Sequence, residues 1–206
     1  MTQRVIEIST PEGTVHGVLH PAENARSALV MVGGAGGGIH GPARIYEELA
    51  TRLQTEGVAA LRLEYRKPNY LEDCIYDVLA AITALDQQGI NRAALLGWSF
   101  GGAVVISAGA VSDAVVGVAT IASQTYGAGA VGKLSPKSLL LIHGTADQVL
   151  PYFLSKDLYA RAGEPKELVL YPDDGHGIEG HRSEMLDKLY SWSGDLLLVK
   201  EGRDDI

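Results

Sequence analysis

Three features that would point to particular functions are scarce in this sequence. It has a single cysteine, Cys74, so no intramolecular disulfide can form. Its net charge is -8 over 206 residues, and it offers no cluster of lysine and arginine that would bind phosphates. No apolar run is long enough to span a membrane, and residues 1–10 contain no apolar segment of a secretory signal. We therefore expect a cytoplasmic protein that binds neither nucleic acid nor a membrane.

Metal and phosphate ligands are also poorly represented. A lone cysteine excludes a thiolate cluster, and His176 and His181 lack the spacing that places two zinc-binding histidines on one helix face. The segment from Gly127 to Lys133 approaches a phosphate-binding loop, but Leu134 stands where that motif needs a serine or threonine. We expect no metal and no cofactor.

Strand and helix patterns alternate along the chain. Residues 5–19 predict two strands joined by the turn Pro11-Glu12-Gly13-Thr14, which makes an antiparallel hairpin. Several later strands are continuous apolar runs, typical of a parallel sheet covered by helices on both faces. The predicted strands are residues 28–32, 58–63, 93–96, 115–121, 138–142 and 168–171, and the predicted helices are residues 42–56, 71–88, 100–109, 152–162 and 183–198. The alternation predicts an α/β fold with a mostly parallel, doubly wound sheet.

The size of the chain suits one hydrophobic core. With 46% hydrophobic residues and no internal repeat, we predict a single domain over residues 1–200 and a polar C-terminal tail over residues 201–206. The sequence leaves the oligomeric state open, a homodimer included.

A candidate nucleophile lies between a predicted strand and a predicted helix. The segment from Gly97 to Gly101 has the sequence Gly-Trp-Ser-Phe-Gly, with Ser99 at its centre. This is the G-x-S-x-G nucleophile elbow, a sharp turn that holds a serine hydroxyl above the edge of a sheet. The motif also occurs by chance in a chain with 25 glycines, so its meaning depends on the residues that follow.

An acid and a histidine follow in the order that the elbow requires. Asp147 comes after the strand at residues 138–142, and His176 comes after the strand at residues 168–171, so both lie where open α/β sheets place their sites. Alone, Asp147 could be a helix-terminal carboxylate and His176 a surface histidine. Together with Ser99 they form a candidate triad of nucleophile, base and orienting acid. Asp173 and Asp174 are alternative acids, although residues so near the histidine in sequence rarely reach its far ring nitrogen.

The same arrangement needs backbone donors for a developing oxyanion. We predict that one is the N–H of Phe100, which follows the nucleophile at a helix start. The second is predicted in the glycine-rich segment 33–38, at Ala35, with Gly34 as the alternative.

The glycine-rich segment also allows a competing interpretation. Gly36-x-Gly38-x-x-Gly41, with Glu64 further along the chain, has the spacing of a dinucleotide-binding fingerprint. Pro42 places the helix start after the third glycine, whereas the fingerprint needs the helix to begin within the motif. We therefore favour the oxyanion role over a nicotinamide site.

These motifs resemble those of the α/β-hydrolase family, and especially of its small, cap-free, dienelactone-hydrolase-like esterases and thioesterases. The resemblance extends over nearly the whole chain and rests on residues 97–102, 142–147, 175–177 and the glycine segment. Two positions depart from it. Gly33-Gly34 stands where the family often has His-Gly, and Ser99 stands where dienelactone hydrolases use cysteine, so dienelactone is not the expected substrate.

The resemblance and the motifs together predict a serine hydrolase that cleaves small carboxylic esters through an acyl-enzyme. An acyl thioesterase with the same triad is the nearest alternative, and a non-catalytic binding protein on the same fold is a further one. Residues 122–137 are too few for a helical cap, and their glycines favour a mobile loop. We expect a site open to solvent, bounded by Gly34, Trp98, Tyr126 and Ile178, with the Phe100 side chain adding to the wall.

Overall fold

Residues 2–198, which the computed structural model describes, form one sheet of eight strands together with five α-helices. The strands are β1 (Arg4–Thr10), β2 (Gly13–His20), β3 (Ser27–Val32), β4 (Ala59–Glu64), β5 (Arg92–Trp98), β6 (Val115–Ile121), β7 (Ser138–Gly144) and β8 (Lys166–Tyr171). The helices are α1 (Ile45–Thr55), α2 (Leu71–Asp86), α3 (Phe100–Val111), α4 (Phe153–Arg161) and α5 (Arg182–Leu197), with 3-10 turns at Pro42–Arg44 and Gly129–Lys133. The predicted tail at residues 201–206 lies outside the described residues, and the domain span 1–200 stays a prediction.

The strand order confirms the predicted fold class. The strands lie in the order β1-β2-β4-β3-β5-β6-β7-β8. β1 pairs with β2, and β2 with β4, in antiparallel fashion, whereas the pairs from β4 to β8 are parallel. The chain therefore opens with the predicted hairpin and continues as a doubly wound sheet.

Two hydrophobic cores cover the two faces of the sheet. β3 is buried along its whole length. Its alternate residues point to opposite faces, so Val30 packs with the core that includes α2 and α3, and Met31 packs with the core that includes α1 and α5. This explains the continuous apolar strand pattern, because neither face of the central strands meets water. α3 is buried on almost every side for the same reason.

Some element boundaries differ from the predicted ones. The first helix begins at Ile45 rather than at Pro42, because Ala43 and Arg44 have φ angles of 45° and 55°, which no right-handed helix contains. The segment 122–137 is also less free than its glycines suggested. Its Val131 and Leu134 are buried in the core, and its 3-10 turn packs against α3 and α4, so the segment is held in place and includes no α-helical cap.

The topology brings four loops to one edge of the sheet. After β3 the chain forms β4 on one side of β3 and then β5 on its other side. The direction in which strands are added to the sheet therefore reverses at β3. Ligand sites in open α/β sheets lie at such a switch point, beyond the carboxyl ends of the strands. The loops after β3, β5, β7 and β8 meet at this edge. Among the described residues, no helix is long and apolar enough to cross a membrane.

Candidate active site

Ser99 lies in a strained turn between β5 and α3. Its φ and ψ are 57° and -120°, and its backbone N–H donates to the Ile121 carbonyl at 2.8 Å. A Cβ atom at Gly97 would collide with the carbonyl oxygen of Gly101, and one at Gly101 would collide with that of Gly33. The glycines of the motif are therefore needed for close backbone approach, which holds the serine in a conformation that is costly elsewhere.

Asp147 and His176 are joined by a short hydrogen bond. The His176 Nδ1 lies 2.7 Å from Asp147 Oδ2. The other carboxylate oxygen, Oδ1, accepts the backbone N–H groups of Val149 and Leu150 at 2.8 and 2.9 Å. Burial raises the pKa of the Asp147 carboxyl, but the hydrogen bonds from His176, Leu150 and Val149 outweigh burial and lower the pKa below its ordinary value. Asp147 is thus held as a carboxylate facing the histidine.

Trp98 connects the histidine loop to the serine turn. Its indole Nε1 donates to the His176 carbonyl at 3.1 Å, and the two rings lie 5.5 Å apart between centroids. Within the described part of the chain, no hydrogen bond joins the Ser99 hydroxyl to His176. Such bonds are often long without substrate and shorten in the reactive complex.

The two segments predicted to supply oxyanion donors, the start of α3 and the glycine segment, both adjoin Ser99. Phe100 is the first residue of α3, so its N–H has no carbonyl of the preceding turn to bond. In the glycine segment, a Cβ atom at Gly34 would lie 3.4 Å from the Cβ of Ser99. Ala35 is exposed at the tip of the turn that the Gly37 N–H closes on the Gly34 carbonyl at 3.0 Å. The backbone of Gly34 therefore borders Ser99, and the choice between Gly34 and Ala35 as oxyanion donor stays a prediction.

Solved structures resemble the chain over almost its whole length. A dienelactone hydrolase from Anabaena variabilis has a TM-score of 0.83 at 20% identity, with 95% of this chain and 98% of that chain covered. The α/β serine hydrolase without lid from Xanthomonas campestris, XC6422, has a TM-score of 0.77 at 18% identity and covers 97% of each chain. The esterase domain of a Rhodothermus marinus protein has a TM-score of 0.78 at 18% identity, covering 96% of this chain and 100% of that one. The chain has the cap-free α/β-hydrolase fold.

Sequence comparison reaches less of the chain. No protein-family model matches it. The uncharacterized protein YfhR of Escherichia coli strain K12 is 35% identical over 124 residues, which are 56% of this chain and 42% of that protein. YfhR of Escherichia coli O157:H7 is 38% identical over 101 residues, 48% of this chain and 34% of that protein. The aligned part thus spans less than half the length of these curated relatives.

The glycine segment of this α/β-hydrolase fold is anchored by two side chains from the end of β4. Glu64 Oε1 accepts the backbone N–H of Gly38 at 2.9 Å, and the Tyr65 hydroxyl donates to the Gly33 carbonyl at 3.3 Å. Glu64 thus bonds to the glycine segment itself. This bond explains the spacing between Glu64 and the glycines without a ribose of a bound nucleotide. Sequence reasoning noted Glu64 only as part of the dinucleotide fingerprint.

The side chains predicted to border the site differ in their exposure. Tyr126 is 80% exposed and Trp98 is partly exposed, so both can border an open site. Ile178, by contrast, has no exposed surface and belongs to the core beneath α5, which argues against its predicted role as a pocket wall. Phe100 is 5% exposed and packs edge-on against Tyr65, so its side chain belongs to the other core. The apolar wall is smaller than the sequence suggested.

Asp174 is engaged in a different interaction from the one considered for it. Its Oδ1 accepts the Gly180 N–H at 2.8 Å, and its Oδ2 lies 3.0 Å from the His181 backbone N and 2.6 Å from His181 Nδ1. The carboxylate therefore bonds to backbone N–H groups further along the loop that carries His176. The backbone carbonyl of Asp174 accepts the N–H of Ala146 at 2.8 Å, which joins that loop to the loop that carries Asp147. Asp173 is exposed, and its N–H donates to Thr145 Oγ1 at 3.0 Å.

His143 contacts the candidate acid, and sequence reasoning assigned no role to it. It lies near the end of β7 with no exposed surface, and its Nε2 is 3.1 Å from Asp147 Oδ2. Burial lowers the pKa of the His143 imidazole, which keeps the ring neutral. Its position four residues before Asp147 was the available signal, but an apolar strand gave no reason to assign a function to it.

Proposed function

We propose that this protein is a serine hydrolase that cleaves small carboxylic esters, with Ser99 as nucleophile, His176 as general base and Asp147 as orienting acid. The observation that carries the proposal is the 2.7 Å bond from His176 Nδ1 to Asp147 Oδ2, formed at the same sheet edge as the strained Ser99 turn. Hydrolases and esterases among the solved structures with this fold support the reaction class.

The proposed mechanism follows from this geometry. A serine hydroxyl is a poor nucleophile until a base accepts its proton, and His176 Nε2 would be that base because Asp147 holds Nδ1. Attack of Ser99 Oγ on the ester carbonyl gives a tetrahedral oxyanion. The N–H of Phe100 and an N–H of the glycine segment would stabilise it. His176 then protonates the leaving alcohol, and water, activated by the same histidine, releases the acid from the acyl-enzyme.

Covalent labelling tests the nucleophile directly. We expect a fluorophosphonate probe to label the wild-type protein at one serine and to leave Ser99→Ala unlabelled, because only an activated serine reacts. Ser183→Ala, which removes an exposed serine at the start of α5, serves as the control and should be labelled like the wild type. Absence of labelling in a folded wild-type protein would favour the non-catalytic binding protein instead.

The open surface around Ser99 supports a preference for short acyl chains. Tyr126 is exposed, Ile178 is buried elsewhere, and the segment 122–137 adds no cap, so little apolar wall is available to an acyl chain. A buried methylene contributes about 0.8 kcal/mol, and a site that buries none gains nothing from a longer chain. We expect acetate and butyrate esters to be cleaved, with kcat/KM falling for acyl chains of about ten carbons or more.

A substrate series separates this proposal from its nearest rival. Specificity constants would be measured for esters of increasing acyl length and for thioesters of matched length. The open mouth also suits a thioester on a carrier, so a consistent preference for thioesters would make the protein a thioesterase. A kcat/KM that rises steadily with chain length would exclude the short-chain esterase.

A further inference from the structure

The buried imidazole of His143 contacts the acid of the candidate triad. We propose that His143 is a positioning residue: it donates a hydrogen bond to Asp147 and thereby fixes the carboxylate that orients His176. The proposal rests on the function proposed above, since it concerns the same site. The contact is His143 Nε2 to Asp147 Oδ2 at 3.1 Å, and it joins two side chains that are both fully shielded from solvent.

The neighbours of the His143 ring determine which nitrogen carries the proton. Nε2 faces two acceptors, Asp147 Oδ2 at 3.1 Å and the Leu150 carbonyl at 2.8 Å. Nδ1 faces the Ser155 hydroxyl at 2.6 Å, which can donate. A neutral ring satisfies all three contacts only with the proton on Nε2 and the lone pair on Nδ1. The two acceptors at Nε2 therefore fix the tautomer in which His143 donates to Asp147, and the Ser155 hydroxyl, buried on α4, donates to Nδ1 and holds the ring in place.

The bond from His143 completes the set of donors around the carboxylate. Asp147 Oδ1 accepts two backbone N–H groups, those of Val149 and Leu150. Oδ2 accepts His176 Nδ1–H and His143 Nε2–H. With a donor on each side of Oδ2, the carboxylate cannot rotate without breaking a bond. The second donor on Oδ2 also withdraws negative charge from the oxygen that faces His176.

A buried histidine could instead be a satisfied core residue with no influence on the site. The bonds to Leu150 and Ser155 alone would satisfy both ring nitrogens, so a purely structural role does not need the contact with Asp147. The two roles differ in what removal of the donor changes. Loss of a positioning bond alters kcat and the protonation of His176, whereas loss of packing alters stability alone.

The test compares His143→Gln with His143→Leu. Glutamine can place an amide N–H near the position of Nε2, whereas leucine fills similar space and donates nothing. We expect His143→Gln to stay close to wild type and His143→Leu to lose about tenfold in kcat with little change in KM, the usual worth of one hydrogen bond. The pH–rate midpoint should move upward in His143→Leu, because the carboxylate then presents more negative charge to His176. His20→Gln, a buried histidine of β2 bonded to Arg62, is the matched control.

A second variant covers the case in which His143→Leu does not fold. Ser155→Ala removes only the hydroxyl that bonds Nδ1 of His143 and holds the ring against Asp147, and Ser193→Ala, a fully buried helix serine of α5, is its control. The readout is the proton NMR resonance of His176 Nδ1–H, which reports the bond to Asp147 and needs no activity. We expect Ser155→Ala and His143→Leu to shift this resonance and Ser193→Ala to leave it unchanged.

Two results would overturn the proposal. One is a folded His143→Leu protein with wild-type kcat, pH–rate midpoint and His176 resonance. The other is a His176 resonance that Ser155→Ala does not move. Because the resonance is measured without substrate, its outcome is independent of the labelling experiment that tests Ser99, so the two proposals can fail separately.

Discussion

Around Ser99 the candidate site is held by contacts between backbone groups, whereas around Asp147 it is held by hydrogen bonds between side chains. We call the surroundings of Ser99 the backbone half of the site and the surroundings of Asp147 and His176 its side-chain half. The serine turn is set by close contacts between glycine backbones, as between Gly101 and the carbonyl of Gly33. The acid side depends on buried polar groups that bond one another, His143, Asp147 and His176 among them. A site of the first kind tolerates no added Cβ atom, and one of the second kind tolerates no lost donor or acceptor.

The largest expected effect is on the side-chain half. Asp147→Asn should lower kcat about ten thousandfold, because an amide favours the wrong tautomer of His176. The isosteric change leaves the backbone half intact, so the protein should still fold. The measurement is steady-state ester hydrolysis on protein shown to be folded by circular dichroism.

Asp173→Asn is the matched control, since Asp173 is exposed and two residues beyond the end of β8. It should behave like the wild type. A greater loss with Asp173→Asn or Asp174→Asn than with Asp147→Asn would show that the acid has been assigned to the wrong loop.

The backbone half is tested by Gly33→Ala. A Cβ atom there would collide with the carbonyl oxygen of Gly37, so the loop must shift. We expect the free energy of unfolding to fall by about 1–3 kcal/mol, the usual cost of overpacking, together with a loss of activity. Urea denaturation followed by fluorescence gives the first quantity.

Gly36→Ala, in the same loop, is the control for Gly33→Ala. An added Cβ atom at Gly36 has no neighbour within 4 Å, and its backbone is not in the left-handed region. Its stability and activity should therefore stay near those of the wild type. Equal effects at the two positions would mean that the loop needs flexibility rather than close approach.

The difference between the two halves also explains what could be predicted from sequence. Glycines needed for close backbone approach, such as Gly97, Gly101 and Gly33, lie in glycine-rich motifs that the sequence shows, and continuous apolar runs identified the parallel sheet. Buried polar partners leave no such pattern. His143 occupies an apolar strand and Ser155 a helix, and only the packing of α4 against β7 and β8 brings the two together.

The pocket wall could not be predicted for a related reason. Ile178 follows His176 by two residues, and the sequence analysis placed it at the border of the site. Its φ of 53° turns the chain at that point, and its side chain lies in the core. Proximity in sequence does not fix the direction of a side chain in a loop, whereas alternation fixes it in a strand.

A smaller effect is expected where a side chain supports the backbone half. Glu64 Oε1 accepts the Gly38 N–H at 2.9 Å, and such a bond contributes about 1 kcal/mol, which corresponds to about fivefold in rate. Glu64→Ala should lower kcat/KM by that factor, and Glu64→Gln should retain most of the activity because its amide oxygen still accepts. An activity loss of the same size with Glu72→Ala, at an exposed position of α2, would refute a specific role for Glu64.

The smallest expected effect concerns stability at acid pH. It tests whether the side-chain half contributes less to the free energy of unfolding when its carboxylates are protonated. Burial raises the pKa of the Asp174 carboxyl, but the bonds from His181 and the Gly180 N–H outweigh burial and lower the pKa below its ordinary value. A carboxyl whose pKa is lower in the folded state stabilises the protein above its unfolded pKa of about 3.9, and this contribution is lost as the pH falls through the folded pKa. Asp174→Asn should therefore be less stable than wild type at about pH 6, and the difference should shrink toward about pH 3.

Urea denaturation at both pH values measures this difference in the free energy of unfolding, with Asp173→Asn as the exposed control. A difference that stays constant with pH would mean that Asp174 acts through packing or neutral hydrogen bonds, and the loop that carries His176 would then not depend on charge.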